Sequence, residues 1–424
     1  MKKFTFFVLL AAAAVALTFA AGRLPDYEAE SETLISAADS SEFTAKEKTE
    51  QTASEASSAA SSADSKADSM QASTESGAVF LPEFASPSRY YYDRLSENEK
   101  KAYDRILEKI ITMPEKIRIP HLEREELNNV FTALRYDNPL LFFVGSKCKV
   151  STAGFFSYFQ ADYTMSYEEY LTAVKEIEAK ADSLLSSLTD PEDEWLCEYE
   201  LHNAIINSCK YNSYSEHDSS VYGVLCLENA SCEGYSKTMK YLLDRLGIEA
   251  YVLAGVATDV DGKSDLHMWN IVKINGEYSH LDVTWDDPSG DDDTLLYTYF
   301  NLTDSEICLD HSDWSFDFDC LSGQNNYYRV KGLYFDSFSE AEKDIIAAAI
   351  AESLDSGNKS ADFRFSSREA FSQANDRLFD GQEIYPLLEA AAQACSVPIK
   401  TNSVEYSSND LFLIITVIPK PQEV

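Results

Sequence analysis

Apolar residues recur at helical spacing in the stretch that follows Cys232. The positions that share one face of this stretch are Tyr235, Met239, Leu242 and Leu246. Ser231 precedes Cys232 at an N-cap position, and Gly247 follows the last apolar residue, as expected at a helix C-terminus. The pattern predicts a buried helix that begins at Cys232. Unpaired N–H groups and the positive end of the helix dipole would stabilise a thiolate there.

A second pattern predicts a β-hairpin. Residues 267–274 form the first strand, Asn275-Gly276 is a type I′ turn signal, and residues 277–284 form the return strand. Because a two-residue turn fixes the register, His267 and Asp282 become diagonal neighbours on one face, roughly 7 Å apart at the backbone. An Asp on one imidazole nitrogen and a Cys at the other is the arrangement of a nucleophile–base–orienter triad.

Four segments in this order resemble the bacterial transglutaminase-like superfamily. They are Cys-Glu-Gly-Tyr from Cys232, Gly-Ile from Gly247, His-Met-Trp-Asn from His267 and Leu-Asp-Val-Thr-Trp-Asp-Asp-Pro from Leu281. The resemblance is dense from about residue 199 to 300, and Met268 stands where the family usually has Ala. It implies a papain-like core with Cys232 as nucleophile, His267 as base and Asp282 as orienter.

Four further residues are candidates to line this site. Tyr222 and Asn229 lie in the loop before Cys232, and either could donate to an oxyanion beside the Cys232 backbone N–H. Trp269 and Trp285 flank the triad strands. They could form the wall of an acyl tunnel or fill the core.

The N-terminus has the pattern of an export signal. Residues 1–21 join two lysines to an apolar run that ends in small residues, and an uncleaved membrane anchor is the alternative. Residues 22–80 are rich in Ser, Ala and Glu with few aromatic residues, so we expect a disordered spacer. Together these segments predict a secreted or cell-surface protein.

The remainder of the chain predicts an α+β fold. Residues 81–190 form a helical N-terminal region with short strands at 141–144 and 154–159, residues 191–330 form the catalytic core, and residues 331–424 form a small α+β appendage. Asp190-Pro191 is expected to begin a helix, and residues 327–330 to form a strand. The core is expected to pack the nucleophile helix on an antiparallel sheet.

Composition limits the partners of the protein. A net charge of −37 disfavours attraction to nucleic acid, and membrane contact is expected only through an uncleaved N-terminal segment. The acids at 286–287 and 291–293 do not match an EF-hand loop, so no metal site is predicted. No cofactor is predicted either. Eight scattered cysteines do not form a disulfide framework, although Cys209–Cys226 and Cys308–Cys320 are conceivable local pairs.

These patterns predict an enzyme that transfers acyl groups through a thioester on Cys232. The expected substrate is an amide of a protein or peptide, and the acceptor is either an amine, giving a crosslink, or water, giving hydrolysis. The triad is the same for both, so the sequence does not decide between them, nor does it give the oligomeric state. The alternative function is a catalytically silent module that binds or scaffolds surface proteins.

Overall fold

The computed structural model describes residues 86, 88–287 and 295–422, together with the backbone of residues 31–36. The predicted export segment and most of the predicted spacer lie outside the described residues, as do the acids at 291–293. Within the described part of the chain, no helix combines the length and apolar character needed to cross a membrane.

The N-terminal region combines four helices with an antiparallel sheet. The strands are β1 (Ser31–Ser36), β2 (Ile117–Pro120), β3 (Val144–Ala153) and β4 (Phe156–Tyr163), in the order β1-β3-β4-β2. The helices are α1 (Tyr90–Asp93), α2 (Glu97–Ile110), α3 (Arg124–Tyr136) and α4 (Tyr167–Ser186). Capping boxes begin α2 at Ser96 and α4 at Ser166. In each, the serine hydroxyl accepts from the backbone N–H of the Glu three residues later, and the side chain of that Glu accepts from the serine backbone N–H.

The expected spacer, residues 22–80, contains β1, which pairs with β3 because an open strand edge offers unpaired N–H and C=O groups. The rest of this segment lies outside the described residues, so its disorder stays a prediction. Two other predictions in this half of the chain were wrong. Residues 141–143 form a turn rather than a strand, and their apolar side chains are buried there. The helix expected from Asp190 begins four residues later, at Glu194, with Asp193 as its cap.

The central region carries the antiparallel sheet on which the site is built. Its strands are β5 (Lys210–Tyr211), β6 (Asn229–Ala230), β7 (Ala250–Thr258), β8 (Ser264–Ile274), β9 (Glu277–Leu281) and β10 (His311–Ser312). Its helices are α5 (Glu194–Ser208), α6 (Val221–Leu225), α7 (Cys232–Arg245), α8 (Asp304–Ile307) and α9 (Tyr327–Val330). The main sheet has the order β10-β7-β8-β9, and β5 pairs with β6 in parallel. Because residues 327–330 form α9, the strand expected there was wrong.

The C-terminal region is a second sheet covered by helices. Its strands are β11 (Tyr334–Phe335), β12 (Ala361–Phe365), β13 (Ile399–Asn409) and β14 (Ile414–Pro421), in the order β11-β12-β14-β13. Its helices are α10 (Glu340–Asp355), α11 (Arg368–Asn375), a π-helical turn (Asp376–Asp380) and α12 (Ile384–Ala394). Buried apolar side chains form one continuous cluster from α2 to β14. The divisions expected at residues 190 and 330 therefore stay predictions.

The predicted hairpin is β8 and β9. Asn275 and Gly276 have φ of 53° and 84°, as a type I′ turn requires. Ile274 pairs with Glu277 and Asn270 with Leu281, which is the predicted register. The return strand ends at Leu281, three residues earlier than expected, so Asp282 lies in the turn that follows it.

Candidate active site

The nucleophile helix begins at the cysteine that the sequence indicated. Ser231 is the extended N-cap residue of α7, but its hydroxyl donates to the Asp218 carbonyl and does not cap the helix. The Ser231 side chain therefore caps none of the first N–H groups of α7, which include the N–H of Cys232. Gly234 allows the Asp218 loop to approach, because a Cβ at this position would lie 2.4 Å from the Asp218 carbonyl oxygen. This contact fixes the start of α7 within the site.

His267 and Asp282 meet at one edge of the sheet. The His267 Nε2 atom lies 2.6 Å from Asp282 Oδ2, and the side chains are 7% and 0% exposed. The second oxygen, Asp282 Oδ1, accepts from the backbone N–H groups of Thr284 at 3.0 Å and Trp285 at 3.2 Å. These two bonds hold the carboxylate in the turn, so the remaining oxygen faces the imidazole.

Electrostatics favours a charged pair at this position. Burial lowers the pKa of His267, but the Asp282 carboxylate and the Cys232 sulfur outweigh burial and raise it to about 10. Burial raises the pKa of Asp282, whereas His267 and His311 lower it to a net value well below the usual range. Since Asp282 occupies Nε2 and the Cys232 sulfur also acts on this ring, Nδ1 is the nitrogen left to face Cys232. The three predicted triad residues are thus brought together.

The two candidate oxyanion donors are directed elsewhere. The Tyr222 hydroxyl lies 3.2 Å from a carboxylate oxygen of Glu176 in α4, to which it donates. The Asn229 side-chain amide donates to the Leu227 carbonyl at 2.9 Å. The structure therefore does not bring either polar group to the triad.

The two candidate tryptophans differ in their surroundings. Trp269 is 1% exposed and donates from Nε1 to His280 Nδ1 at 3.0 Å, so it fills the core behind His267. Trp285 is half-buried, and its ring centroid lies 5.5 Å from that of His267. Of the two, Trp285 is the one with a partly exposed surface at the triad.

Two residues at this site were missed by sequence reasoning. His311 of β10 is buried, and its Nε2 lies 3.2 Å from Asp282 Oδ2. Tyr211 of β5 pairs with Ala230, two residues before Cys232. Burial and then the neighbouring Cys232 raise the pKa of the Tyr211 hydroxyl to about 12. Neither residue lies in a recognisable motif, and only the pairing of β10 with β7 and of β5 with β6 places them here.

A buried charge cluster supports the first turn of α7. Glu233, next to the nucleophile, forms ion pairs with Arg135 of α3 and with Lys237 one turn along α7. The three side chains are 16%, 4% and 5% exposed, respectively. Burial lowers the pKa of Lys237 to about 8, against the opposing effect of Glu233. The cluster joins the N-terminal region to the nucleophile helix.

Apart from the triad and its neighbour His311, one group among the described residues has the composition of a metal site. His280, Asp304 and Cys320 bring their ligand atoms within 4.8 Å of one another. However, His280 Nδ1 accepts from Trp269, so the neutral ring carries its proton on Nε2 and donates to Asp304 Oδ1 at 2.9 Å. The group is satisfied as a hydrogen-bond relay without an ion. All eight cysteines are free thiols, so the local disulfide pairs considered from the sequence do not form.

Comparison with known families agrees with this geometry. Residues 179–283 match the family model of the transglutaminase-like superfamily. The match spans Cys232, His267 and Asp282. Residues 179–283 therefore form a transglutaminase-like domain with a papain-like α+β core.

Solved structures and curated proteins add little to this assignment. A TGase crystal structure is 15% identical, with a TM-score of 0.24, over 40% of this chain and 50% of that one. The periplasmic domain of TgpA from Pseudomonas aeruginosa bound to ethylmercury is 14% identical, with a TM-score of 0.21, over 32% and 62%. The chain thus spans 50–62% of these two structures, and similarities this low carry no argument. No curated protein matches the chain.

Proposed function

We propose that this protein is a cysteine enzyme that cleaves amide bonds of proteins or peptides through a thioester on Cys232. The observation that carries the proposal is the grouping of Cys232, His267 and Asp282, in which Asp282 contacts His267 at 2.6 Å and the Cys232 sulfur helps to raise the pKa of His267. The three residues come from α7, from β8 and from the turn after β9. The match of residues 179–283 to the transglutaminase-like superfamily, whose domain is typically a Cys-His-Asp enzyme fold, supports it.

The proton transfers follow from which nitrogen of His267 faces Asp282 and which faces Cys232. Asp282 holds Nε2 of His267, so Nδ1 takes the thiol proton and the ion pair of thiolate and imidazolium forms. The thiolate attacks the amide carbonyl, and a C–S bond forms as the carbonyl π pair moves to oxygen. The imidazolium returns its proton to the leaving amine as the C–N bond breaks. An amine or water then attacks the thioester carbonyl and gives up a proton to His267, and the C–S bond breaks to release the Cys232 thiolate and the new amide or acid.

The proposal also covers the acyl acceptor and the location of the protein. We take the acceptor to be the amine of a lysine side chain or water, and the substrate to be a glutamine side chain or a peptide bond. The export pattern of residues 1–21 supports action outside the cytoplasm, on extracellular proteins.

Thiol reactivity is the first test. The full chain is pulsed with iodoacetamide between pH 5 and pH 9, and mass spectrometry follows each cysteine. Cys308 is an internal control, because it is more exposed than Cys232 while burial raises its pKa. An ordinary thiol, with a pKa of about 8.5, is mostly protonated at pH 6. We expect Cys232 to alkylate at least about tenfold faster than Cys308 at pH 6 and to lose this advantage in His267→Ala.

The same experiment separates the catalytic role from a silent binding module. If Cys232 alkylates no faster than Cys308, and at the same rate in His267→Ala as in wild type, then Cys232 is not activated. That result would favour a catalytically silent binding module over an enzyme. If Cys232 is activated, a fluorescent primary amine and a glutamine-rich protein are supplied together. Label that depends on Cys232 indicates crosslinking chemistry, and released peptides or ammonia without label indicate hydrolysis.

A further inference from the structure

A second histidine shares the orienting carboxylate of the triad. His311 of β10 directs Nε2 to Asp282 Oδ2 at 3.2 Å, the same oxygen that His267 contacts at 2.6 Å. Its other nitrogen, Nδ1, lies 2.6 Å from Asp310 Oδ1. The His311 side chain is 0% exposed. A buried imidazole therefore lies between two carboxylates.

This geometry defines the charge of His311. An ionised carboxylate only accepts hydrogen bonds, so both ring nitrogens of His311 must carry protons, which makes the ring an imidazolium. Burial lowers the pKa of His311, but the bonds to Asp282 and Asp310 raise it to a net value above the ordinary one. By contrast, His280 of the same sheet accepts from Trp269 on one nitrogen and is neutral.

Aromatic rings hold His311 in this position. Its ring centroid lies 4.7 Å from that of Trp285 and 4.9 Å from that of Trp269. The Tyr299 hydroxyl donates to the second oxygen of Asp310 at 2.7 Å, which fixes the carboxylate behind the ring. The orientation of His311 is therefore set by ring contacts with two tryptophans and by a carboxylate at each nitrogen.

The charged and titratable groups around His311 come from four elements. His267 of β8 faces it with a ring-centroid distance of 5.5 Å, and Asp282 faces it from the turn after β9. Asp310 directly precedes β10, and Tyr299 reaches Asp310 from the loop before it. Cys232 is the next ionisable group of the site, and it acts on His267 by helping to raise the pKa of that imidazole.

We propose that His311 is a positioning residue of the catalytic site, which fixes the ionised Asp282 against His267 and adds one positive charge that favours the thiolate of Cys232. The thiolate part of this inference rests on the proposed function of the triad. Removing the charge should leave Asp282 less firmly held and the thiolate less stable, because an opposite charge nearby favours the ionised form.

The charge of His311 is tested first by nitrogen NMR on the full chain labelled at histidine. The chain has six histidines, and His311→Gln and His280→Gln assign the two signals. We expect His311 to keep both nitrogens protonated at pH 7 while His280 is neutral. A neutral His311 at pH 7 would overturn the proposal, whether or not the protein shows enzymatic activity.

The positioning role is tested by the pH profile of Cys232 alkylation. We expect His311→Gln to slow alkylation at pH 6 by about tenfold and to change it little at pH 9. His280→Gln is the matched control, since it also removes a buried imidazole bound to a carboxylate but has no bond to Asp282. A merely structural effect would change both variants alike at both pH values, and that result would contradict the proposal.

A second variant covers the case in which His311→Gln does not fold. Asp310→Asn keeps the ring of His311 but removes the carboxylate on Nδ1, so the ring loses much of its charge. We expect a smaller decrease at pH 6 in the same direction, and a profile identical to wild type would overturn the positioning role. Should wild-type Cys232 itself show no activation over Cys308, the proposed enzyme function fails, and the NMR result still decides the charge of His311.

Discussion

Asp282 is the residue on which the contacts of the site converge. One oxygen accepts from the backbone of Thr284 and Trp285, and the other from His267 and His311. A fully buried carboxylate is costly unless its oxygens are satisfied, and here four donors satisfy them. The residue therefore shapes the turn after β9 and the ionisation of His267 at the same time.

Replacing Asp282 with Asn separates these two roles. Asn keeps the size and can accept the turn bonds, but it removes the charge that raises the pKa of His267. In the Asp282→Asn variant we expect alkylation of Cys232 at pH 6 to fall roughly tenfold or more, because the ion pair loses its anionic support. Asp304→Asn, which removes the carboxylate of His280 instead, should leave the rate at pH 6 unchanged. Equal effects of both variants would contradict this account.

The pH range of turnover follows from the same pair. The pKa of His267 is raised to about 10, so the imidazolium that protonates the leaving amine persists through neutral pH and is lost as the pH rises through that value. With an amide substrate, we expect turnover to decline above about pH 10 in wild type. The decline should begin at lower pH in Asp282→Asn, measured as kcat/KM against pH. A decline at the same pH in both proteins would show that His267 does not control it.

At the scale of elements, the start of α7 depends on a buried charge cluster. Burial raises the pKa of Glu233, but Arg135 and Lys237 outweigh burial and lower it, so the carboxylate stays ionised between two cations. This arrangement ties α3 to the turn that presents Cys232.

The Glu233→Gln variant tests this cluster. It leaves two buried cations without their anion, so we expect a loss of about 3 kcal/mol in the free energy of unfolding at pH 7, measured with urea. Glu340→Gln removes the acid of an exposed pair with Lys343, where the acid is 83% exposed, and should cause no measurable loss. Similar losses in both variants would show that the buried cluster is not specially stabilising.

Element boundaries were predicted best where local side chains define them. Ser96 and Ser166 form capping boxes visible in the sequence, and α2 and α4 begin there. Residues 327–330 carry strand-forming side chains but form α9, because the Asn326 side chain accepts from Tyr328 N–H and begins a helical turn. Short segments have little intrinsic preference, so the tertiary contacts decide their structure.

At the scale of the whole molecule, a buried carboxylate of the central region helps to raise the pKa of a buried carboxylate of the C-terminal region. Burial raises the pKa of Asp286 to about 6 and of Asp362, on β12, to about 7, and Asp286 contributes to the second shift. A carboxyl whose pKa is higher in the folded state than in the unfolded state binds more protons when folded. The stability it contributes is present near pH 4 and is lost as the pH rises to about 7.

The Asp362→Asn variant should remove part of this pH dependence. We expect wild type to lose stability between pH 5 and pH 8, and the variant to lose less by on the order of 2 kcal/mol, because the residue no longer ionises. Urea unfolding at the two pH values measures the difference. Asp336→Asn, at an exposed position of the same region, should retain the wild-type dependence. An unchanged slope in Asp362→Asn would exclude this carboxyl as its source.

The sequence by itself determined the parts of this protein that local rules govern. The two-residue turn fixed the register that brings His267 near Asp282, and apolar spacing with a C-terminal glycine defined the helix that opens at Cys232. Only the tertiary structure decided what surrounds them. His311 and Tyr211 reach the site through short pairings, β10 with β7 and β5 with β6, which leave no pattern in the chain. Periodicity records which face of an element is buried, whereas contacts between distant short elements depend on how the whole chain packs.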